Sequence, residues 1–137
     1  MFKEKEEFRM NAPIRISESE SEVMKLLWEQ EPLTASEIIE RLQRQMDWSD
    51  QTIKTFLNRL LNKEAIRFEK SGRTYLYYPL VTRDEYLRSE NRSFLNRVYD
   101  GAIGMMCAKF LEEERLSDQE IEQLQRLLDK QKKGGDA

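Results

Sequence analysis

Apolar residues recur at helical spacing through most of the chain, and in one stretch the period shortens to two. Between Asp50 and Lys63, Phe56, Leu57, Leu60 and Leu61 stand three, four, seven and eight positions after Ile53, the spacing of one buried stripe on an α-helix. Gln51, Thr52, Lys54, Thr55, Asn58, Arg59 and Lys63 fall outside that stripe. The exposed face therefore carries amides, hydroxyls and cations, the groups that hydrogen-bond base edges and phosphates. After Ala65 the alternation is that of a strand, with Ile66 and Phe68 inward and Arg67 and Glu69 outward. Two short strands joined at Ser71-Gly72 put Lys70, Ser71, Gly72 and Arg73 at a hairpin tip. A polar, cationic helix followed by a hairpin with a basic tip predicts a winged helix-turn-helix.

Helix starts are marked by capping boxes, Ser or Thr at the N-cap with Glu three residues later. They stand at Ser17/Glu20, Thr34/Glu37, Thr82/Glu85 and Ser117/Glu120. Hydrophobic staples flank three of them, pairing Leu33 with Ile38, Val81 with Tyr86 and Leu116 with Ile121. Ser49 caps the reading helix, with Trp48 stapled to Ile53. Five helices are thus predicted. The first spans about Glu18 to Glu29 and buries Val23, Met24, Leu27 and Trp28; the second spans about Ala35 to Gln45 and buries Ile38, Ile39, Leu42 and Met46. Trp28 and Trp48 read as packing residues. Ile14-Arg15-Ile16 reads as a short strand beside the hairpin, which makes the order β-α-α-α-β-β up to Pro79.

The remainder differs. A long fourth helix, about Asp84 to Phe110, carries Leu87, Phe94, Leu95, Val98, Tyr99, Ala102, Ile103, Met106 and Phe110 on a stripe. The fifth, about Asp118 to Gln131, offers only Ile121, Leu124, Leu127 and Leu128 to cover it. Two amphipathic helices do not close a core alone, so the same pair from a second chain is the expected partner. Gly101 and Gly104 interrupt the fourth helix, marking either close approach of another helix or a bend. The fold class is mainly α with a small antiparallel sheet: a flexible tail over 1–13, a winged-helix DNA-binding domain over 14–80, a helical dimerisation region over 81–131 and a disordered tail over 132–137.

Composition narrows the function. The 137 residues contain one cysteine and no histidine, so neither an internal disulfide, a zinc site nor a histidine-based nucleophile pair is expected. Cys107, within the apolar part of the fourth helix, reads as a small core residue. No enzyme and no cofactor are expected, and no metal site. No apolar run approaches membrane-spanning length and no signal-peptide segment opens the chain, so a cytoplasmic protein without membrane insertion is expected. Net charge is −3, but it is segregated. Ser17 to Glu40 holds one cation against seven acids, whereas Arg41 to Tyr78 holds eight cations against four acids. The positive part coincides with the reading helix and hairpin, which favours DNA contact.

Four segments carry a resemblance: ISESESEVMKLLW from Ile16, WSDQTIKTFLNRLLNKEAI from Trp48, YLYYPLV from Tyr75 and FLEEERLSDQEIEQLQRLL from Phe110. In this order and spacing they resemble the penicillinase and methicillin-resistance repressors, of BlaI/MecI type, from Ile16 to about Asp129. The resemblance implies a homodimeric winged-helix repressor of an inverted-repeat operator with TACA/TGTA character, dimerised through its C-terminal helices. It also implies, for antibiotic-responsive members, release through a membrane sensor-protease system. Carried over by motif, the double-stranded DNA contacts are Ser49, Gln51, Thr52, Lys54, Thr55 and Arg59 on the reading helix and Lys70 and Arg73 on the wing. The homodimer interface falls to Leu87, Phe94, Leu95, Val98, Ile103, Met106, Phe110, Ile121, Leu124 and Leu128.

Three departures stand against the family pattern. Lys63-Glu64-Ala65 occupies the place where relatives commonly carry Gly, so the reading helix must stop without the easy left-handed residue. The candidate cleavage site, Lys109-Phe110 followed by Leu111-Glu112-Glu113, matches an Asn-Phe context only on its apolar side, which counts against proteolytic control. The Cys-x-Cys pairs of the copper-responsive branch are missing, so copper sensing is not expected. The alternative reading is a winged-helix protein-interaction module without sequence-specific DNA binding.

Overall fold

The computed structural model describes residues 14–135, and in it each helix start follows from its cap. The elements are α1 (Glu18–Glu29), β1 (Leu33–Thr34), α2 (Ala35–Gln45), α3 (Asp50–Asn62), β2 (Ile66–Ser71), β3 (Thr74–Pro79), α4 (Arg83–Tyr99), α5 (Ile103–Glu113) and α6 (Asp118–Gly135). All four capping boxes form, with reciprocal bonds of 3.0–3.1 Å at Ser17/Glu20, Thr34/Glu37, Thr82/Glu85 and Ser117/Glu120. Each satisfies two donors that a helix start leaves orphaned and contributes about 1 kcal/mol. The backbone N–H of Thr34 and of Ser117, then their hydroxyls, hold the Glu37 and Glu120 carboxyls below the ordinary carboxylate range.

The chain divides between Asn91 and Arg92 into two units. In the first, the buried core joins Val23, Met24, Leu26 and Leu27 of α1, Ile38 and Leu42 of α2, and Ile53, Leu57 and Leu60 of α3. Leu33, Ala65, Ile66 and Val81 close it from the sheet side. Trp28 packs on its margin, donating from Nε1 to the Val81 carbonyl at 2.8 Å, with its ring 5.4 Å from that of Tyr86.

The sheet has the order β1-β3-β2, all antiparallel. Its third strand is not Ile14-Arg15-Ile16, as the sequence suggests, but Leu33–Thr34, paired with Tyr77 and Leu76. The reason is local. An N-cap residue already needs extended backbone, and Thr34 sits at φ −79° and ψ 162°. One extended residue before it, Leu33, is enough to bridge to β3 while burying its side chain completely. With β2 on the other edge, β3 has no edge left for residues 14–16; Ile14 and Ile16 pack into the core without pairing. The order is therefore α-β-α-α-β-β.

The expected long fourth helix is two helices, α4 and α5, which raises the helix number to six among the described residues. Asp100 at φ 52° and Gly101 at φ 84° are consecutive left-handed residues, and no α-helix continues through them. The Gly101 N–H donates back to the Leu95 carbonyl at 3.1 Å, which closes the end of α4. Gly101 thus marks a bend. Gly104 lies inside α5 with open space where a Cβ would stand, so no close intrachain approach explains it. Cys107 is exposed rather than buried, because α5 has no buried face within the chain. The last helix reaches Gly135, past the expected tail boundary at 132; Lys132 and Lys133 in its final turn complement the helix dipole. The N-terminal tail, residues 1–13, and the last two residues lie outside the described residues.

Candidate nucleic-acid interface

The reading helix α3 is anchored at its start and leaves one face open. Ser49 accepts from the Thr52 N–H at 3.2 Å and lies 2.9 Å from the Thr52 hydroxyl. Thr55 donates its hydroxyl to the Gln51 carbonyl one turn back at 2.9 Å. Trp48 meets Phe56 edge to face, ring centroids 5.0 Å apart, which fixes the chain's entry into the helix. Gln43 of α2 braces the same turn, donating to Asp50 Oδ1 at 2.6 Å and to the Trp48 carbonyl at 3.2 Å. Nothing in the residue pattern singled out Gln43; only an i, i+7 amide–carboxylate spacing across a turn hints at it. Among the described residues, Gln51, Lys54 and Asn58 are exposed with no hydrogen bond or ion pair on their side chains.

Ion pairing sorts the cations that charge counting lumped together. Arg44 pairs with Glu40, Arg67 with Glu69, and Arg41 donates to Gln30. Arg67 also lies 4.2 Å above the Tyr78 ring. Lys63, on the polar face by sequence, turns inward to the Glu20 carboxylate, which is only 1 % exposed. Burial pushes the Glu20 carboxyl upward, but hydrogen bonds from Lys63 and the Ser17 N–H and the charges of Lys63 and Arg59 outweigh it. Its pKa ends below the ordinary value. The start of α1 is thus tied to the end of α3. What remains for a ligand is Lys54, Arg59, Lys70 and Arg73, none in an ion pair within 4.0 Å among the described residues.

Between reading helix and wing, the chain turns with a non-glycine residue in the left-handed region. Glu64 sits at φ 60°. Its N–H donates to the Leu61 carbonyl at 3.1 Å, and the Ala65 N–H donates to Leu60 at 2.9 Å, the paired bonds of a Schellman stop. Leu60 and Ala65 are fully buried, the apolar contact that accompanies this motif. Tertiary packing holds the turn that glycine would adopt unaided.

The wing is the β2–β3 hairpin, closed by a two-residue turn at Gly72-Arg73 with Gly72 at φ 64°. A left-handed residue at the first turn position matches the twist of the strands, and glycine takes it freely. Lys70 and Arg73 are exposed near this tip. Ile66 is buried as expected, but Phe68 is 48 % exposed. It lies on the inward face of β2, yet beyond the reach of the helical layer.

In the second unit the interface residues read from the sequence form no buried cluster. Leu87, in the first half of α4, is exposed too. Phe94, Val98, Ile103, Phe110, Ile121, Leu124 and Leu128 are exposed, and Leu95 and Met106 half-buried. Leu127, which the sequence already places on the apolar side of the last helix, and Met105 and Leu111, which it does not single out, add to this exposed apolar surface. Lys109 and Phe110 lie inside α5, with Lys109 3.8 Å from Glu112.

A three-helix core, a reading helix with an open polar-cationic face and a hairpin with a basic tip define a winged helix-turn-helix unit of the kind transcriptional regulators carry. The penicillinase repressor family model matches residues 16–130. The chain is 38 % identical to the penicillinase repressor of Bacillus licheniformis over 118 residues, 86 % of this chain and 92 % of that protein. It is likewise 38 % identical to the methicillin resistance regulatory protein MecI of Mammaliicoccus sciuri over 120 residues, 88 % of this chain and 98 % of that one. The solution structure of the DNA-binding domain of the repressor BlaI superposes with a TM-score of 0.51 at 36 % identity, covering 55 % of this chain and 92 % of that one. Monomeric Bacillus licheniformis BlaI in complex with the blaP half-operator gives 0.50 at 36 % identity, with the same coverage. The chain belongs to the penicillinase repressor family, whose members are transcriptional repressors and not enzymes. Among the described residues no helix is long and apolar enough to cross a membrane.

Proposed function

We propose that this chain represses transcription as a cytoplasmic homodimer on an inverted-repeat operator of TACA/TGTA character. The observation that carries the reading is the open face of α3, where Gln51, Lys54, Asn58 and Arg59 are exposed beside a wing whose Lys70 and Arg73 are unpaired among the described residues. The relative that holds a half-operator supports it over the same unit. Gln51 addresses adenine, and the methyl groups of Thr52 and Thr55 suit thymine once their hydroxyls are engaged. Ser49 is chiefly a cap. Lys54, Arg59, Lys70 and Arg73 pair with phosphates and set affinity and register.

The exposed apolar faces of α4 to α6 support a second copy as their cover. Such a dimer holds two reading helices about one helical turn apart, roughly 34–36 Å, on successive major grooves. Separating the C-terminal helices releases the operator, because two half-sites bound together hold far more tightly than either alone. A membrane sensor-protease system acting at Lys109-Phe110 has to open α5 first, since both residues are helical. Fluorescence anisotropy on a TACA/TGTA inverted repeat and a scrambled duplex, at several salt concentrations, tests the reading. Tight binding to the repeat that weakens steeply with salt is expected. Equal, weak binding to both would overturn it in favour of a protein-interaction module.

A further inference from the structure

The inner face of the wing continues past the end of the core. Register places Ile66, Phe68 and Lys70 on one face of the hairpin, directly opposite Pro79, Tyr77 and Tyr75. At its base Ile66 is buried, while nearer the tip Phe68 and Tyr75 are 48 % and 45 % exposed. Their rings meet edge to face with centroids 4.9 Å apart, and Phe68 lies 6.1 Å from the Tyr77 ring. Two adjoining rings left in water, on a face that is core elsewhere, mark a surface that a partner covers. The charge around them says what kind. Lys70 shares the face and Arg73 closes the turn, whereas Glu69 lies on the opposite face, bound to Arg67. The partner is anionic and offers apolar patches between its charges. The sugar edges of duplex DNA have that chemistry.

We infer that Phe68 and Tyr75 form an apolar shelf that enters the minor groove beside the half-site, with Lys70 and Arg73 on the flanking phosphates. The inference rests on the operator-binding reading above. Apolar side chains in the minor groove respond to its width and to the guanine amino group on its floor. The shelf therefore selects base pairs that α3 never reaches, favouring A·T flanks over G·C.

Anisotropy titrations of the full chain on one TACA/TGTA repeat with A·T, G·C or inosine·C flanks test this, because inosine removes only the minor-groove amino group of guanine. Wild type is expected to bind the A·T and inosine flanks about five- to tenfold more tightly than G·C. The double variant Phe68→Ser/Tyr75→Ser is expected to lose that preference and about tenfold in affinity at an unchanged salt slope. Lys70→Ala should instead reduce the slope by about one. Wild-type indifference to inosine overturns the shelf and requires no variant to fold. A folded double variant that keeps affinity and preference overturns it too, and one that also changes its sedimentation shows the face covers a second copy. A chain that binds the repeat but ignores the flank removes the shelf alone; one that binds no duplex removes the operator reading with it.

Discussion

The two units use the same kind of side chain to opposite ends. Around α1 to α3, Val23, Met24, Leu27, Ile38, Leu42, Ile53 and Leu60 are fully buried within the chain. From Thr82 to Gly134 no described residue is buried, although Val98, Ile103 and Phe110 are as apolar as anything in the core. Helical periodicity runs through both, though it is weakest along α4. What differs is that three helices and a sheet cover one another's apolar faces in the first unit, whereas the described residues from Thr82 on leave theirs exposed. An amphipathic stripe therefore reports that burial is wanted, and says nothing of which chain supplies it. On the proposed dimer, substitutions of apolar residues in the first unit test stability and those in the second test association.

Val98→Asp separates the two most sharply. It should leave the thermal midpoint of the winged unit in place while sedimentation shows monomers, and affinity for the full repeat should fall about 10²- to 10⁴-fold toward the half-site value. A dimer that persists would move the interface elsewhere. Leu27→Ala, at a fully buried site, should do the reverse, costing about 2–5 kcal/mol in denaturant unfolding with assembly of the folded fraction unchanged. Lys63→Met keeps the apolar stem and removes the ammonium from buried Glu20, for about 1–3 kcal/mol near neutral pH. Because the folded pKa of Glu20 lies below its ordinary 4.5, this contribution is complete above that value and is lost as the pH falls through the folded one. The gap between variant and wild type should close on acidification; a gap independent of pH would show the pair contributes packing only. Arg59→Ala and Lys54→Ala should each weaken operator binding by about five- to tenfold and lower the salt slope by about one, without touching the oligomer. Glu64→Gly is the smallest change and a gain: relief of the left-handed backbone should stabilise the first unit by about 1 kcal/mol, read as a higher unfolding midpoint.

The winged unit was legible because its signals are local. Each Ser/Thr–Glu box fixes a helix start within one turn, and the stripe from Ile53 to Leu61 names the buried side of α3. The same periodicity names the outward side of α3, since whatever misses the stripe faces out, whereas the choice of individual DNA contacts there and on the wing rests on the family resemblance. Lys63 broke that rule. It lies outside the stripe, but its four-carbon stem lets the ammonium reach a carboxylate 43 positions earlier, a pairing no local pattern contains. The third strand escapes local reading for a similar reason. Ile14 and Ile16 alternate well enough for a strand, but pairing depends on a free edge of β3, and Leu33–Thr34 already holds it. Gly101 marks a bend or a close approach in the sequence; the left-handed Asp100 beside it, which turns the bend into a break, carries no sequence signature of its own. Phe68 follows the inward alternation of Ile66, yet it stays 48 % exposed.

Trp28 stands where the core meets the start of α4, its indole N–H held by the Val81 carbonyl and its ring against Tyr86. Trp48 stands at the root of the reading helix, against Phe56. With no third tryptophan in the sequence, the chain carries one intrinsic fluorophore for each place where movement matters to a repressor. Emission from a Trp48→Phe protein follows the docking of α4 alone, and emission from Trp28→Phe follows the seating of α3 alone. Binding to the proposed operator can thus be resolved optically into a change at the reading helix and a change at the start of α4, with two single-tryptophan variants and no added label.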